Sequence, residues 1–118
     1  MENDFIKLYD SQINFQNEVY KLEHNTEIVL PQDCLDLFQY HTLAILEELG
    51  EVLKADKRWK THRNQRYIYE EKKDEIADVF ITVMNIAIYS GMSADDLLSE
   101  VKRKMEENVR RLEQEKCQ

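Results

Sequence analysis

The stretch from Tyr69 to Gly91, YEEKKDEIADVFITVMNIAIYSG, decides the fold. It opens with Glu70, Glu71, Asp74 and Glu75, acidic residues that complement the positive end of a helix dipole. From Ile76 to Ile88 it is apolar almost all round, and Gly91 follows as a C-terminal cap. A helix of that kind has to be covered on every side. A short chain supplies little cover, so the pattern predicts a third helix buried at a subunit interface. Inside the apolar run, Glu75-Ile76-Ala77-Asp78 sets two carboxylates three residues apart, on one face of the helix.

Upstream of this stretch, Lys60 to Tyr67 is polar and basic without a period, and reads as a loop. Before it, Leu35, Phe38, Thr42, Leu46, Leu49, Val52 and Leu53 keep a helical period over Cys34 to Trp59, with Asp33 as the expected N-cap. This second helix carries the matching pair Glu48-Leu49-Gly50-Glu51. Gly50 costs about 1 kcal/mol relative to Ala in a helix, which fits either close approach of a helix or ligand, or a tolerated imperfection. A first amphipathic helix spans Phe5 to Leu22, and His24 to Gln32, with the single Pro31, is a connection. Ser93-Ala94-Asp95-Asp96 resembles a capping box opening a fourth helix, on which Leu97, Leu98, Val101, Met105, Val109 and Leu112 form the apolar stripe. The expectation is a single domain over residues 1–118, an all-α, four-helix, bundle-like fold that oligomerises through its third helix.

Composition narrows the partners. Two Gly and one Pro in 118 residues suit long helices with few tight turns. A formal net charge of −8 argues against nucleic acid, whose binders must offer cations to phosphates. Cys34 and Cys117 form no CxxC pair, which suits a reduced compartment, and the acidic Met1-Glu2-Asn3-Asp4 lacks the basic start of a secretory signal. The most apolar stretch, Val79 to Tyr89, is about half the roughly 20 residues needed to span a bilayer. A cytoplasmic location with no membrane contact is expected.

Glu48, Glu51, Glu75 and Asp78 are the candidate metal ligands. Carboxylates crowded on two facing helices resist ionisation unless a cation sits between them, and a hard, oxygen-seeking ion such as Mg²⁺, with Mn²⁺ as substitute, is the natural one. The rival pair Glu71 and Asp74 lies among lysines in a segment that reads as solvated, and Glu47 points roughly 100° away from Glu48. A single Glu-x-x-Glu is usually a wet helix face. Two equally spaced pairs in apolar helices joined by a short connector favour a shared site. A di-iron bundle is disfavoured, because His24, His41 and His62 do not complete Glu-x-x-His motifs. An ion of this type is commonly shared with substrate phosphates, which directs attention to phosphoanhydride chemistry. No P-loop sequence is present to hold those phosphates.

The ordered combination of Glu-x-x-Glu, connector, Glu-x-x-Asp, and Lys104-Met105-Glu106-Glu107-Asn108 with Arg111 resembles the MazG-like nucleoside triphosphate pyrophosphohydrolases, relatives of the all-α dimeric dUTPases and dCTP pyrophosphatases. The resemblance covers roughly Phe38 to Leu112. It implies Mg²⁺-dependent hydrolysis of a (deoxy)nucleoside triphosphate to the monophosphate and diphosphate, with Glu48, Glu51, Glu75 and Asp78 binding metal. Relatives of this kind form homodimers or tetramers built as dimers of dimers. Glu48 is the candidate to orient or deprotonate the attacking water. Lys104 and Asn108, one turn apart with Arg111 extending their face, fit phosphate or sugar contacts, or else an ordinary charged surface. Asn85 lies two turns beyond Asp78 and fits either a base or ribose contact or a buried interhelical hydrogen bond. Trp59 and Phe38 are candidates for stacking on a base, or for core packing. The family often has an aromatic or other base-contact residue one turn after the final Asp, where this chain has Thr82, and the base preference is open accordingly. The competing expectations are a non-enzymatic helical interaction module and a metal-binding regulator without turnover.

Overall fold

The computed structural model describes residues 2–28, 31–57 and 68–117. Within them the chain is all-α: α1 Glu2–His24, α2 Pro31–Asp56, α3 Tyr69–Tyr89 and α4 Ala94–Lys116. α1 begins three residues before the predicted Phe5. α2 starts at Pro31, so Asp33 lies in its first turn and is not its cap. Proline suits that start, since its missing N–H is one that a first turn leaves unpaired anyway and its φ is already helical. Residues 58–67, which hold the predicted loop and Trp59, lie outside the described residues.

The helix ends follow local chemistry. Gly91 sits at φ 85°, and the amides of Gly91 and Met92 donate to the carbonyls of Ile88 and Ala87, both at 3.1 Å. This is a Schellman closure, which needs a left-handed residue and therefore favours glycine. Two residues later the Asp96 amide donates to Ser93 Oγ at 3.1 Å and the Ser93 amide donates to Asp96 Oδ2 at 3.2 Å, the reciprocal capping box expected from the sequence.

α2 and α3 form the most extensive helix pair, an antiparallel hairpin. Asp56 pairs with Lys72, Glu48 approaches Glu75 and Asp78, and His41 stacks on Tyr89, so one helix descends as the other climbs. α1 packs on the C-terminal half of α3. Gln12 Nε2 donates to Asn85 Oδ1 at 2.8 Å and Tyr89 Oη donates to Gln16 Oε1 at 2.9 Å, contacts that advance by four residues on both helices. At this junction Tyr9, Met84, Ala87 and Ala94 are buried, backed by Phe5, Ile6, Ile13, Ile88, Met92 and Leu97. Tyr9 is fully buried, and its hydroxyl donates to the Met92 carbonyl at 2.7 Å, so the oxygen it carries into the core is matched.

Beyond Leu97, α4 leaves the core. It packs chiefly against α1, and Val101, Met105, Val109 and Leu112 stay about half exposed. On α3 the faces differ: Thr82, Met84, Asn85, Ala87 and Tyr89 are buried, whereas Ile76, Phe80, Ile81 and Val83 face outward. The radius of gyration is 18.2 Å, against about 13 Å for a compact chain of about 100 residues. No single helix among the described residues is long and apolar enough to cross a membrane.

Candidate metal centre

The far end of the α2–α3 hairpin holds the acids. Glu48 on α2 and Glu75 and Asp78 on α3 each place a carboxylate oxygen within 4.8 Å of the others. The three-residue spacing on α3 and the antiparallel packing create the cluster. Glu75 and Asp78 share a face of one helix, and the facing turn of the other delivers Glu48 between them. Glu48 and Glu75 are half-buried and Asp78 is exposed.

The electrostatics match the geometry. Partial burial pushes the Glu48 carboxyl above its ordinary value, and the charges of Asp78, Glu47 and Glu51 push it further. Partial burial likewise raises Glu75, reinforced by Asp78, Glu51, Asp74 and Glu48. Each acid is harder to ionise because the others are present. Glu51 lies outside the three-residue group, one turn along from Glu48, but its charge is felt by both Glu48 and Glu75. Carboxylate oxygens gathered from two helices in this way could hold a metal ion, and oxygen donors suit a hard divalent cation.

Two lysines bridge the helices on the side of the cluster toward the end of α2. Lys72 Nζ lies 2.7 Å from Asp56 Oδ2 and Lys57 Nζ lies 3.6 Å from Glu71 Oε2, tying the end of α2 to the start of α3. Glu71 is thus engaged with a lysine, and it belongs to no carboxylate group close enough to share an ion among the described residues. Gly50 has open space around it, since a methyl group there would meet nothing within 4 Å. Close packing inside the chain is not what keeps that position small.

The remaining predicted contacts lie elsewhere. Lys104 Nζ is 3.8 Å from Glu107 Oε2, Arg111 pairs with Glu107 Oε1, and Arg103 Nη1 lies 3.1 Å from Glu107 Oε2. Arg111, then Lys104, hold the Glu107 carboxyl below its ordinary value. Within one chain these cations serve a charge network along α4, and Asn108 lies beside it on the same helix. Asn85 is 5% exposed and its carbonyl oxygen accepts from Gln12, which accounts for a buried amide by interhelical bonding. Thr82 donates to the Asp78 carbonyl at 3.0 Å, a back-bond within its own helix. Phe38 is half-buried near the start of α2.

One constellation was not anticipated from the sequence. His41 is buried and stacked on Tyr89, centroids 5.3 Å apart and planes within 5°, with Tyr40 edge-on at 5.0 Å. The available signal was spacing: His41 precedes Glu48 by seven residues, two turns on the same face. Compared with known proteins, the chain matches no family model, no curated protein and no solved structure.

Proposed function

We propose that the chain is a Mg²⁺-dependent nucleoside triphosphate pyrophosphohydrolase of the MazG-like type, converting a (d)NTP and water to the (d)NMP and diphosphate. The observation that carries this reading is the convergence of Glu48, Glu75 and Asp78 from two helices, with ionisation suppressed at Glu48 and Glu75. Glu48, Glu75 and Asp78 would hold the ion, with Glu51 adding charge from the adjacent turn. A bound divalent ion supplies charge neutralisation of the triphosphate and a more acidic water. Glu48, made more basic by burial and acidic neighbours, is the residue to orient that water and accept its proton.

In this reading the chain works as a homodimer or a dimer of dimers. The accessible surface is 9189 Å², while a compact monomer of this mass exposes about 6,800 Å². The exposed surface includes apolar side chains such as Ile76 and Phe80 on α3 and Met105 and Val109 on α4. A second copy covering them through α3 would also be the means by which Lys104, Asn108 and Arg111 meet an acid cluster, for phosphate or sugar contacts. Pyrimidine deoxynucleotides are the first substrates to test, as expected for relatives of dUTPases and dCTP pyrophosphatases.

The decisive measurement is diphosphate release from a panel of canonical and modified (d)NTPs with Mg²⁺. Release that disappears in Glu75→Gln/Asp78→Asn while the fold persists supports the enzyme. Mg²⁺-linked thermal stabilisation with no product from any substrate would instead assign a metal-binding regulator. Neither turnover nor metal-linked stabilisation would leave a helical interaction module.

A further inference from the structure

A second concavity lies at the opposite end of the hairpin, between the C-terminal half of α1, the start of α2 and the end of α3. It has a volume of about 340 Å³ and is lined by Phe15, Gln16, Tyr20, Tyr40, His41 and Tyr89, among others. That volume is at the lower end of the range of small-molecule sites, the size suited to a ring system.

The wall is built and oriented. Tyr89 is 8% exposed, its hydroxyl is tied to Gln16, and burial pushes that hydroxyl up to about 12, so it remains a neutral donor. The His41 imidazole lies flat on this fixed ring and carries Tyr40 on its edge. His41 is 9% exposed, and among the described residues no hydrogen bond to either imidazole nitrogen is present. Burial lowers its pKa, so the neutral ring offers one donor and one acceptor. No buried side-chain nitrogen among the described residues is left without a partner, so the imidazole edge that the protein does not engage is open to the cleft, where a ligand can take the place of water.

The lining also selects. Among the described residues its only charged member is Glu23, and no lysine or arginine contributes. Phosphates and carboxylates are therefore disfavoured, while tyrosine faces favour planar and cationic groups. Saturated apolar ligands would leave His41 unmatched.

We propose that this cleft binds a planar nitrogen heteroaromatic ring, neutral or cationic, stacked among Tyr20, Tyr40 and Tyr89 and hydrogen-bonded to His41. The ring is either a free small molecule or part of a molecule whose phosphates reach the acid cluster, since His41 and Glu48 lie about 10 Å apart along α2. The inference stands on the cleft and does not require turnover at the acids.

The test uses the full chain and four nucleosides, adenosine, guanosine, cytidine and thymidine, with ribose 5-phosphate as the control lacking a ring base. Binding is followed by calorimetry and by the His41 imidazole signals in NMR spectra. At least one nucleoside is expected to bind and shift those signals, ribose 5-phosphate to do neither, and His41→Phe to weaken binding about tenfold by removing the hydrogen bond. Tyr40→Ala changes a side chain that is 65% exposed, so the fold should survive, and it too should weaken binding. In Glu75→Gln/Asp78→Asn, nucleoside binding should persist. If the triphosphate with Mg²⁺ binds more tightly than its nucleoside and loses that gain in the double variant, the ring belongs to a phosphorylated ligand; equal binding assigns a free ring. Absence of binding by every nucleoside, or binding unchanged in both His41→Phe and Tyr40→Ala, overturns the proposal and leaves the metal reading untouched.

Discussion

The two ends of the α2–α3 hairpin are built on opposite terms. At the Tyr89 end, α1 and the start of α4 close over the hairpin, and the polar side chains Gln12, Gln16, Asn85 and Tyr89 pair with one another across helices. At the Glu48 end no helix among the described residues covers the acids, and carboxylates are brought together against their mutual repulsion. The first arrangement lowers the free energy of the fold, and the second raises it unless an ion is bound. Matched packing and crowded charge are thus segregated along one pair of helices, and crowded charge of this kind is what sites hold where folding alone would not assemble it.

That contrast can be broken from the stable end. Tyr9→Ala removes the fully buried ring and should cost about 3–5 kcal/mol, read by chemical denaturation. Tyr9→Phe, which loses only the bond to Met92, should cost about 1 kcal/mol. From the acid end, Glu48→Gln should leave the fold intact and slow diphosphate release by about 10²–10⁴-fold, measured at saturating Mg²⁺. A smaller effect belongs to the α3–α4 corner, where Ser93→Ala opens the capping box and should cost about 1 kcal/mol with turnover unchanged.

The pH dependence sharpens the comparison because the two ends have opposite signs. Burial lowers the His41 pKa, so below about 6.5 the unfolded chain binds a proton that the folded one resists. Stability should therefore fall as pH drops through that window, and His41→Phe should flatten the slope in thermal melts. Glu48 and Glu75 are raised, so the folded chain takes up protons more readily there than the unfolded one. Their contribution is present at low pH and lost as pH rises through their raised values. In metal-free protein, Glu75→Gln should accordingly melt higher than the parent at neutral pH, and added Mg²⁺ should reverse the order.

Legibility followed the range of the interaction. The four helices, the Gly91 closure and the Ser93–Asp96 box depend on residues within a turn or two of each other, and all could be read directly. The start of α2 was missed by three residues because Pro31 looked like a break, although proline is as much at home in a first turn. For Asn85, two partners were conceivable, and Gln12 was invisible because it lies 73 residues away. The stack of His41 on Tyr89 depends on the same long-range packing.

Periodicity, helix-end chemistry and carboxylate spacing, all short-range properties of a polypeptide, were enough to define an all-α chain with Glu48, Glu51, Glu75 and Asp78 on two helices. How those acids relate required the packed hairpin. Antiparallel contact draws Glu48, Glu75 and Asp78 into one cluster and leaves Glu51 a turn away. The same packing seats the start of α4 in the core with α1, whereas the pairs of Lys104 and Arg111 with Glu107 lie three and four residues apart within α4 and follow from spacing alone. Spacing within a helix sets which face a side chain occupies, whereas the neighbour that face meets is chosen by burial summed over the whole chain.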